Sequence, residues 1–312
     1  MIARPAQALV EPLVLDQAFT DPELLTRLID AGSPYRTLGA VHRDPAHLPV
    51  APWFRNFWAL GGKVVFPGAE AAFNNPNYIE AAKDLFGASV VSPLAMMTNL
   101  NLPGPDSPPH LDLPFFRGAH KREVPSWMLA PMGYSGLFQR WAIPVASAIT
   151  WFYDGPGGEF EFWPDGPDQP SVRHGELGSN QAIMADNEYT YHRVCQVGTP
   201  DRFVADNSVP YGSELRLDDN RWLVEDGGQT IASFERGAVR VSVLWKAYCF
   251  ADHDQATAFT EGSDNLTPTK IVELFQNDLR RRGISVDPPS DLEGNCLWAQ
   301  TIRDTYGAAT PY

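Results

Sequence analysis

The sequence is poor in cysteine and lacks an unbroken stretch of apolar residues long enough to cross a membrane. Its three cysteines, Cys195, Cys249 and Cys296, include no Cys-x-x-Cys pair. That pattern argues against a disulfide framework or a zinc knuckle and favours a reducing compartment. The apolar run over residues 141–153 is too short and is broken by proline, and the N-terminal residues do not have the pattern of a signal peptide. We therefore expect a cytoplasmic protein.

Positive charge is also scarce, because 24 lysines and arginines stand against 38 aspartates and glutamates. The formal net charge is −14 and the isoelectric point is near 4.8. A surface of this sign repels nucleic-acid phosphates and anionic lipid headgroups. We therefore expect a small-molecule substrate, and neither a nucleic-acid nor a membrane partner. The composition leaves the oligomeric state open, with a homodimer as one option.

Helical patterns occur near both ends of the chain. Residues 21–32 begin with Asp-Pro and end at a glycine, and residues 75–88 begin with Asn-Pro and end one residue after a glycine. These are typical start and stop signals of helices. Residues 268–283 carry an apolar stripe at helical spacing after a threonine N-cap, Thr267 or Thr269. We expect helices at these three places.

Between these helices the periodicity changes to that of β-strands. Residues 146–167 resemble a hairpin closed by Asp-Gly-Pro-Gly-Gly, and residues 181–197 predict two strands around a turn at Asp186-Asn187. Residues 237–250 are branched or aromatic almost throughout and predict the strongest strand. Many strands without intervening helices favour an antiparallel barrel or jelly roll over a βαβ fold.

We therefore predict one mainly β (α+β) domain over residues 1–312. Residues 1–88 are expected to form an N-terminal flank of helices and loops. Residues 89–250 are expected to form a jelly-roll core, and residues 251–312 a C-terminal helical extension. No repeat or linker divides the chain.

The stretch "SPPHLDLPFF" places His110 and Asp112 one residue apart. In an extended chain such residues point to the same side. An imidazole and a carboxylate are two of the three ligands of a 2-His-1-carboxylate triad, which binds Fe(II). The pair alone is weak evidence, because the same spacing occurs in solvated loops. His192 follows an alternating run on a later strand and is the candidate third ligand, with a hydrogen-bonded core histidine as the alternative.

Arg240 and Ser242 share one face of the strongest strand, with Leu244 and Lys246 further along it. An arginine directed into a barrel is costly unless an anion meets it. A carboxylate is the natural partner of the guanidinium fork, and a nearby hydroxyl can bind the same carboxylate. The alternative is an arginine on an exposed edge strand.

Three motifs, His110-Leu111-Asp112, His192-Arg193-Val194 and Arg240-Val241-Ser242, resemble in their order those of the Fe(II)/2-oxoglutarate-dependent dioxygenases. The turn "DGPGGEFEFWP" is similar to the Gly-Gly-Glu hairpin of the prolyl-hydroxylase-like branch of that superfamily. The resemblance covers roughly residues 90–250 and implies a double-stranded β-helix (jelly-roll, cupin-like) core.

By this resemblance, His110, Asp112 and His192 would bind Fe(II), while Arg240 and Ser242 would bind the co-substrate 2-oxoglutarate. The reaction would use O2 and couple decarboxylation of 2-oxoglutarate to oxidation of an unactivated C–H bond. Halogenating relatives have Gly or Ala in place of Asp112, so the resemblance favours hydroxylation, desaturation or cyclisation. A small amino-acid-like or natural-product substrate, in a biosynthetic role, is expected.

Two positions around the co-substrate site stay open. Asn99 and Asn101 lie on the strand that enters the His110 motif. One of these amides is expected to bond the co-substrate or the substrate, with Asn99 as the candidate contact for 2-oxoglutarate and a turn role as the alternative. The family arginine usually follows the second histidine more closely than Arg240 does, which makes Arg202 its rival. If Arg240 is the anchor, residues from about 199 to 236 form an insertion between the last two core strands.

The segment over residues 113–141 is aromatic, glycine-punctuated and locally basic. It is a candidate lid over the site, with a hydrophobically anchored surface loop as the alternative. The candidate substrate-binding residues on it are Phe115, Phe116, Arg117 and Trp127.

Two other functions fit the same motifs. An oxidase of the isopenicillin N synthase type would use the arginine for the carboxylate of its own substrate and would need no 2-oxoglutarate. A cupin-like isomerase or binding barrel would hold a metal without oxidative chemistry.

Overall fold

The computed structural model describes residues 10–38, 53–119, 123–175, 180–205, 208–292 and 296–307. Its strands are, in chain order, β1 (Leu13–Leu15), β2 (Tyr35–Thr37), β3 (Trp53–Leu60), β4 (Lys63–Val64), β5 (Val90–Asn101), β6 (Phe115–Phe116), β7 (Ala142–Ile143), β8 (Val145–Phe152), β9 (Phe160–Trp163), β10 (Val172–His174), β11 (Ala182–Ala185), β12 (Tyr191–Val194), β13 (Glu214–Asp218), β14 (Arg221–Asp226), β15 (Gln229–Glu235) and β16 (Arg240–Phe250).

The helices are α1 (Pro22–Ala31), α2 (Glu70–Phe73), α3 (Pro76–Phe86), α4 (Ser126–Ser135), α5 (His253–Glu261), α6 (Pro268–Arg281) and α7 (Leu297–Tyr306). The side chains of Asp21, Asn75 and Thr267 accept backbone hydrogen bonds at the starts of α1, α3 and α6, as the start signals predict. Within the described parts of the chain, none of these helices is both long and apolar enough to span a bilayer.

Two antiparallel sheets form the core, which confirms the mainly β, jelly-roll prediction. The main sheet has the order β1-β11-β8-β16-β5-β3-β2-β13-β14-β15, and β4 pairs with β3. The smaller sheet has the order β10-β9-β12. Phe160 and Phe162 of the smaller sheet pack with Trp151 and Ile183 of the main sheet, so the two sheets face each other across a shared interior.

The predicted hairpin over residues 146–167 is wrong in its pairing. β8 belongs to the main sheet and β9 to the smaller one, so the turn carries the chain from one sheet to the other. Gly157 and Gly158 both have φ of +78°, and a Cβ on Gly157 would lie 2.1 Å from the carbonyl oxygen of Gln196. The glycines are therefore needed because the connection between the two sheets passes close to the backbone of Gln196, and not because they close a two-stranded hairpin. β11 and β12 likewise lie in different sheets.

The flank over residues 1–88 contains strands as well as the predicted helices and loops. β1 pairs with β11, and β3 pairs with β5 over most of its length. Within the predicted insertion at about 199–236, β13, β14 and β15 form a meander that joins the main sheet through β2.

The two faces of β16 have different environments. Val243, Trp245 and Ala247 are fully buried, and Trp245 packs on Tyr78 of α3 with a ring distance of 5.3 Å. The residues of the opposite face, Leu244, Lys246 and Tyr248, keep partial solvent access. The first face belongs to the core under the N-terminal helices, and the second faces the interior between the two sheets.

The segment over residues 113–141 is packed against the C-terminal helices. Phe116 on β6, Met128 on α4, Phe138, Phe275 on α6 and Trp298 near the start of α7 belong to one buried cluster. Residues 120–122 of this segment lie outside the described residues. The described part is a hydrophobically anchored layer, which favours the second of the two interpretations given to this segment.

Candidate metal centre

The two candidate histidines are opposite each other in the backbone. His110 and His192 form an isolated antiparallel bridge, with N–H···O distances of 3.0 Å in both directions. Their rings are 4.4 Å apart between centroids. His192 is on β12, and the bridge adds the segment around His110 to the edge of the smaller sheet.

Backbone carbonyls orient both imidazoles. Nδ1 of His110 donates to the carbonyl of Pro108, and Nδ1 of His192 donates to the carbonyl of Thr190, each at 2.9 Å. Burial lowers the pKa of His110, and burial together with the neighbouring His110 lowers that of His192 to about 3. Both rings are therefore neutral at physiological pH, with the lone pair on Nε2, which is the form that binds metals.

Asp112 completes the group. Its backbone N–H donates to the carbonyl of Asn187 at 2.9 Å, and its Oδ2 accepts a hydrogen bond from Nζ of Lys246 at 2.7 Å. Burial opposes ionisation of Asp112, but Lys246 and the two imidazoles outweigh it and hold the pKa of the carboxyl below its usual range. The residue is therefore a carboxylate at neutral pH.

Ligand atoms of His110, Asp112 and His192 all lie within 4.8 Å of one another. Two neutral imidazole nitrogens and one carboxylate oxygen are the donor set of the 2-His-1-carboxylate triad, which suits Fe(II) and leaves further coordination positions open. The donor set and its orientation by backbone carbonyls therefore fit a single divalent metal ion.

The structure places Arg240 in the same interior. The side chain is 2 % exposed. Its Nε donates to the carbonyl of Gly158 at 2.7 Å, and its Nη1 donates to Oδ1 of Asn101 and Oγ of Ser242, each at 3.2 Å. All three acceptors are neutral oxygens. Burial lowers the pKa of Arg240 to about 10, so the guanidinium remains charged at neutral pH.

Two asparagines of β5 lie beside this arginine. Asn101 pairs with Arg240 and Asn99 pairs with Ser242 in the sheet. Nδ2 of Asn101 is buried and has no hydrogen-bond partner within the described residues, while Oδ1 of Asn99 accepts from Nε of Arg55 at 2.6 Å. Arg240, Ser242 and Asn101 thus present polar groups at one place, and Asn99 is next to them on the strand.

Arg202, the rival anchor, lies in the 3₁₀ turn Pro200–Arg202 and is exposed. The structure does not bring it into the interior that contains Arg240.

Of the four candidate substrate-binding residues, Phe115 lies next to the inner face of the main sheet. Its ring packs edge-on against Tyr248, with the centroids 5.6 Å apart. Phe116 is buried in the cluster that anchors residues 113–141. Trp127 donates from Nε1 to the carbonyl of Leu292 and packs against Trp298 near the start of α7. Phe116 and Trp127 therefore have structural contacts that the sequence did not predict.

Arg117 has a partner of its own. Nε and Nη2 bind the two carboxylate oxygens of Asp264 at 2.9 and 3.0 Å, and Nη2 also donates to the carbonyl of Arg140. Nε1 of Trp141 donates to the backbone carbonyl of Asp264. This bidentate pair ties β6 to the loop after α5 and occupies the side chain that was predicted to bind substrate.

Two residues near the triad and the arginine, Lys246 and Glu188, were not predicted as site residues, whereas Asn101 was predicted together with Asn99 as a possible contact. Lys246 could have been found, because it shares a face of β16 with Arg240. Glu188, whose Oε1 accepts from Nζ of Lys246 at 2.8 Å, gave no such signal. A carboxylate in a turn resembles many solvated residues until the fold brings it next to its partner.

Comparison with known proteins finds similarity at the level of solved structures, whereas no protein-family model and no curated protein matches the chain. An oxidoreductase of the 2OG-Fe(II) oxygenase family from Burkholderia pseudomallei is 14% identical, with 76% of this chain and 85% of that chain covered, at a TM-score of 0.42. A prolyl-4-hydroxylase from Pseudomonas putida is 11% identical, with 77% and 93% covered, at 0.39.

HygX from Streptomyces hygroscopicus, solved with nickel, 2-oxoglutarate and hygromycin B bound, is also 11% identical, with 77% and 83% covered, at a TM-score of 0.39. At such identities and scores the similarity assigns neither a substrate nor a reaction to this chain.

Proposed function

We propose that this protein is an Fe(II)- and 2-oxoglutarate-dependent oxygenase that oxidises an unactivated C–H bond of a small amino-acid-like or natural-product substrate. In this proposal His110, Asp112 and His192 hold the metal. Arg240, Ser242 and Asn101 bind the distal carboxylate of 2-oxoglutarate, with Asn99 beside them.

The observation that carries the proposal is the buried charge of Arg240. An isolated charge in an interior is strongly unfavourable unless a counter-charge meets it. The three hydrogen bonds of Arg240 go to neutral oxygens, and none of the carboxylates in the described ranges forms an ion pair with it. A guanidinium of this kind, beside the unsatisfied amide Nδ2 of Asn101, is suited to a ligand carboxylate.

β16 runs from the proposed carboxylate site toward the triad. Ser242 and Lys246 lie on one face of β16, roughly 13 Å apart at about 3.3 Å per residue, and Lys246 contacts Asp112. A 2-oxoglutarate held by Arg240 and Ser242 would direct its 2-oxo acid end along this face, toward the triad.

When bound, Fe(II) would supply the activation of O2 and the one-electron chemistry that amino-acid side chains lack. The chain itself orients and encloses the reactants. His110 and His192 are held as neutral ligands by Nδ1–H bonds to carbonyls. Phe160 stacks near His192 with a ring distance of 5.4 Å and limits water on that side. Leu244 and Tyr248 are half-buried on the inner face of β16, and in this proposal they face the substrate.

The test is an anaerobic titration of the apoprotein with Fe(II) and 2-oxoglutarate. We expect a weak visible charge-transfer band, which requires both components and is absent in His192→Ala. A folded wild-type protein without the band would reject the proposal. Metal binding that is indifferent to 2-oxoglutarate would instead favour the cupin-like or isopenicillin-N-synthase-like alternatives. If the band appears, a succinate-release screen over amino acids and natural-product scaffolds would separate substrates.

A further inference from the structure

A lysine connects the metal-binding carboxylate with a buried glutamate. Nζ of Lys246 lies 2.7 Å from Oδ2 of Asp112 and 2.8 Å from Oε1 of Glu188. Glu188 is 2 % exposed and belongs to the turn between β11 and β12 that leads to His192. The lysine therefore links β16, the Asp112 segment and the turn before His192 through two short ion pairs.

These ion pairs restrict the carboxylate of Asp112. Its backbone is held to the same turn, through the bond from its N–H to the carbonyl of Asn187 at 2.9 Å. Its Oδ2 is bound by Lys246, which leaves Oδ1 as the oxygen available to a metal. Two of the three ammonium protons are directed at fixed carboxylates, so the lysine itself has little freedom to move.

We propose that Lys246, held by Glu188, is a positioning residue that makes Asp112 a ligand through one oxygen only. This inference rests on the metal-binding part of the proposed function and does not require 2-oxoglutarate. Partners of this kind, hydrogen-bonded to a ligand, orient it and commonly matter for affinity nearly as much as the ligands do.

Charge alone makes the opposite prediction. A cation next to the metal site repels a divalent ion, so removal of the ammonium should tighten metal binding if electrostatics were its only effect. Glu188 offsets this repulsion in the wild type. The sign of the change in metal affinity therefore separates a positioning role from a purely electrostatic one.

The experiment is an anaerobic Co²⁺ titration of the full chain without 2-oxoglutarate, followed by the visible absorption of bound Co²⁺. Lys246→Met removes the charge and the donors, and Lys246→Gln keeps a neutral donor. Lys270→Met is the matched control, because Lys270 pairs with Glu273 at 3.2 Å on the solvent side of α6.

We expect Lys246→Met to bind Co²⁺ about 10–100-fold more weakly, the usual effect of losing such a partner, with a changed absorption spectrum. Lys246→Gln should recover part of the loss, and Lys270→Met should bind like the wild type. Equal or tighter binding by Lys246→Met would overturn the proposal. If Lys246→Met fails to fold because Glu188 is left unpaired, Lys246→Gln decides: weaker binding than wild type supports positioning, and equal or tighter binding refutes it.

The two proposals fail separately. A wild type that binds Co²⁺ but does not respond to 2-oxoglutarate would reject the oxygenase and leave the result for Lys246 standing.

Discussion

His110 and His192 exchange two backbone hydrogen bonds of 3.0 Å, one in each direction. They are opposite residues of an isolated bridge, and the segment that carries His110 and Asp112 is not itself part of a regular strand. The distance between the two imidazoles therefore depends on a short stretch of backbone pairing at the edge of the smaller sheet. A metal ion bound by both rings would link the two paired segments through their side chains as well.

This arrangement predicts a local effect of metal on backbone protection. Addition of Mn²⁺ should slow hydrogen exchange at the amides of His110 and His192, because opening the bridge would then also require breaking metal–ligand bonds. Hydrogen-exchange mass spectrometry with peptides covering residues 107–112 and 190–194 measures it. The meander β13–β15 serves as the internal control and should exchange at the same rate with and without metal. A uniform slowing over the whole chain would contradict the local effect.

The buried charge of Arg240 predicts a specific loss of co-substrate binding. Arg240→Ala should raise the KM for 2-oxoglutarate by about 30-fold or more, since truncating one partner of a buried charged pair costs about 2–5 kcal/mol and 1.4 kcal/mol is a factor of ten. The thermal stabilisation produced by 2-oxoglutarate should disappear in the same variant.

Arg202→Ala is the matched comparison for Arg240→Ala, because Arg202 is an exposed arginine in a turn. Its KM for 2-oxoglutarate should equal that of the wild type. A larger effect at Arg202 than at Arg240 would reverse the assignment of the anchor.

The bidentate pair between Arg117 and Asp264 predicts a role in stability. Arg117→Met should lower the free energy of unfolding by about 1–3 kcal/mol, since it removes charged hydrogen bonds from a partly buried pair. Urea unfolding measures this change. Arg27→Met is the control, because its pair with Asp21 is exposed and such pairs contribute less than about 1 kcal/mol. If Arg117→Met kept full stability and only raised a substrate KM, the substrate-binding role predicted from the sequence would be restored.

Glu161 on β9 predicts a dependence of stability on pH. Burial would raise its pKa, but hydrogen bonds from Ser171, Arg193 and Arg173 outweigh burial and lower the pKa to about 2. Because the folded-state pKa is depressed, the stabilisation is complete above the unfolded value of 4.5 and is lost as the pH falls toward 2.

The loss should be on the order of 3 kcal/mol. Unfolding free energies measured between pH 6 and pH 2 should therefore fall more steeply for the wild type than for Glu161→Gln, which cannot titrate. Parallel curves for the two proteins would show that Glu161 has no such role.

Local sequence signals predicted the helices α1, α3 and α6 and the core strands. The Asp-Pro and Asn-Pro starts, the threonine cap and the strand periodicities depend on neighbours within a few residues. The helices α2, α4, α5 and α7 were not individually predicted. The predicted pairing of β8 with β9 was wrong, because a glycine-rich turn is compatible both with a hairpin and with a connection between two sheets. The strands β1 and β3 were missed because their partners β11 and β5 are distant in the chain.

The sequence by itself determined the donor chemistry of the candidate site. The i, i+2 spacing of His110 and Asp112 and of Arg240 and Ser242 places each pair on one face of extended backbone, whatever the surrounding fold. Only the tertiary structure decided which charges have partners. It pairs Arg117 with Asp264 and Lys246 with Glu188 and leaves Arg240 buried among neutral oxygens. Those outcomes depend on contacts between segments far apart in the chain, and the strength of a charge interaction depends on burial, which no local pattern specifies.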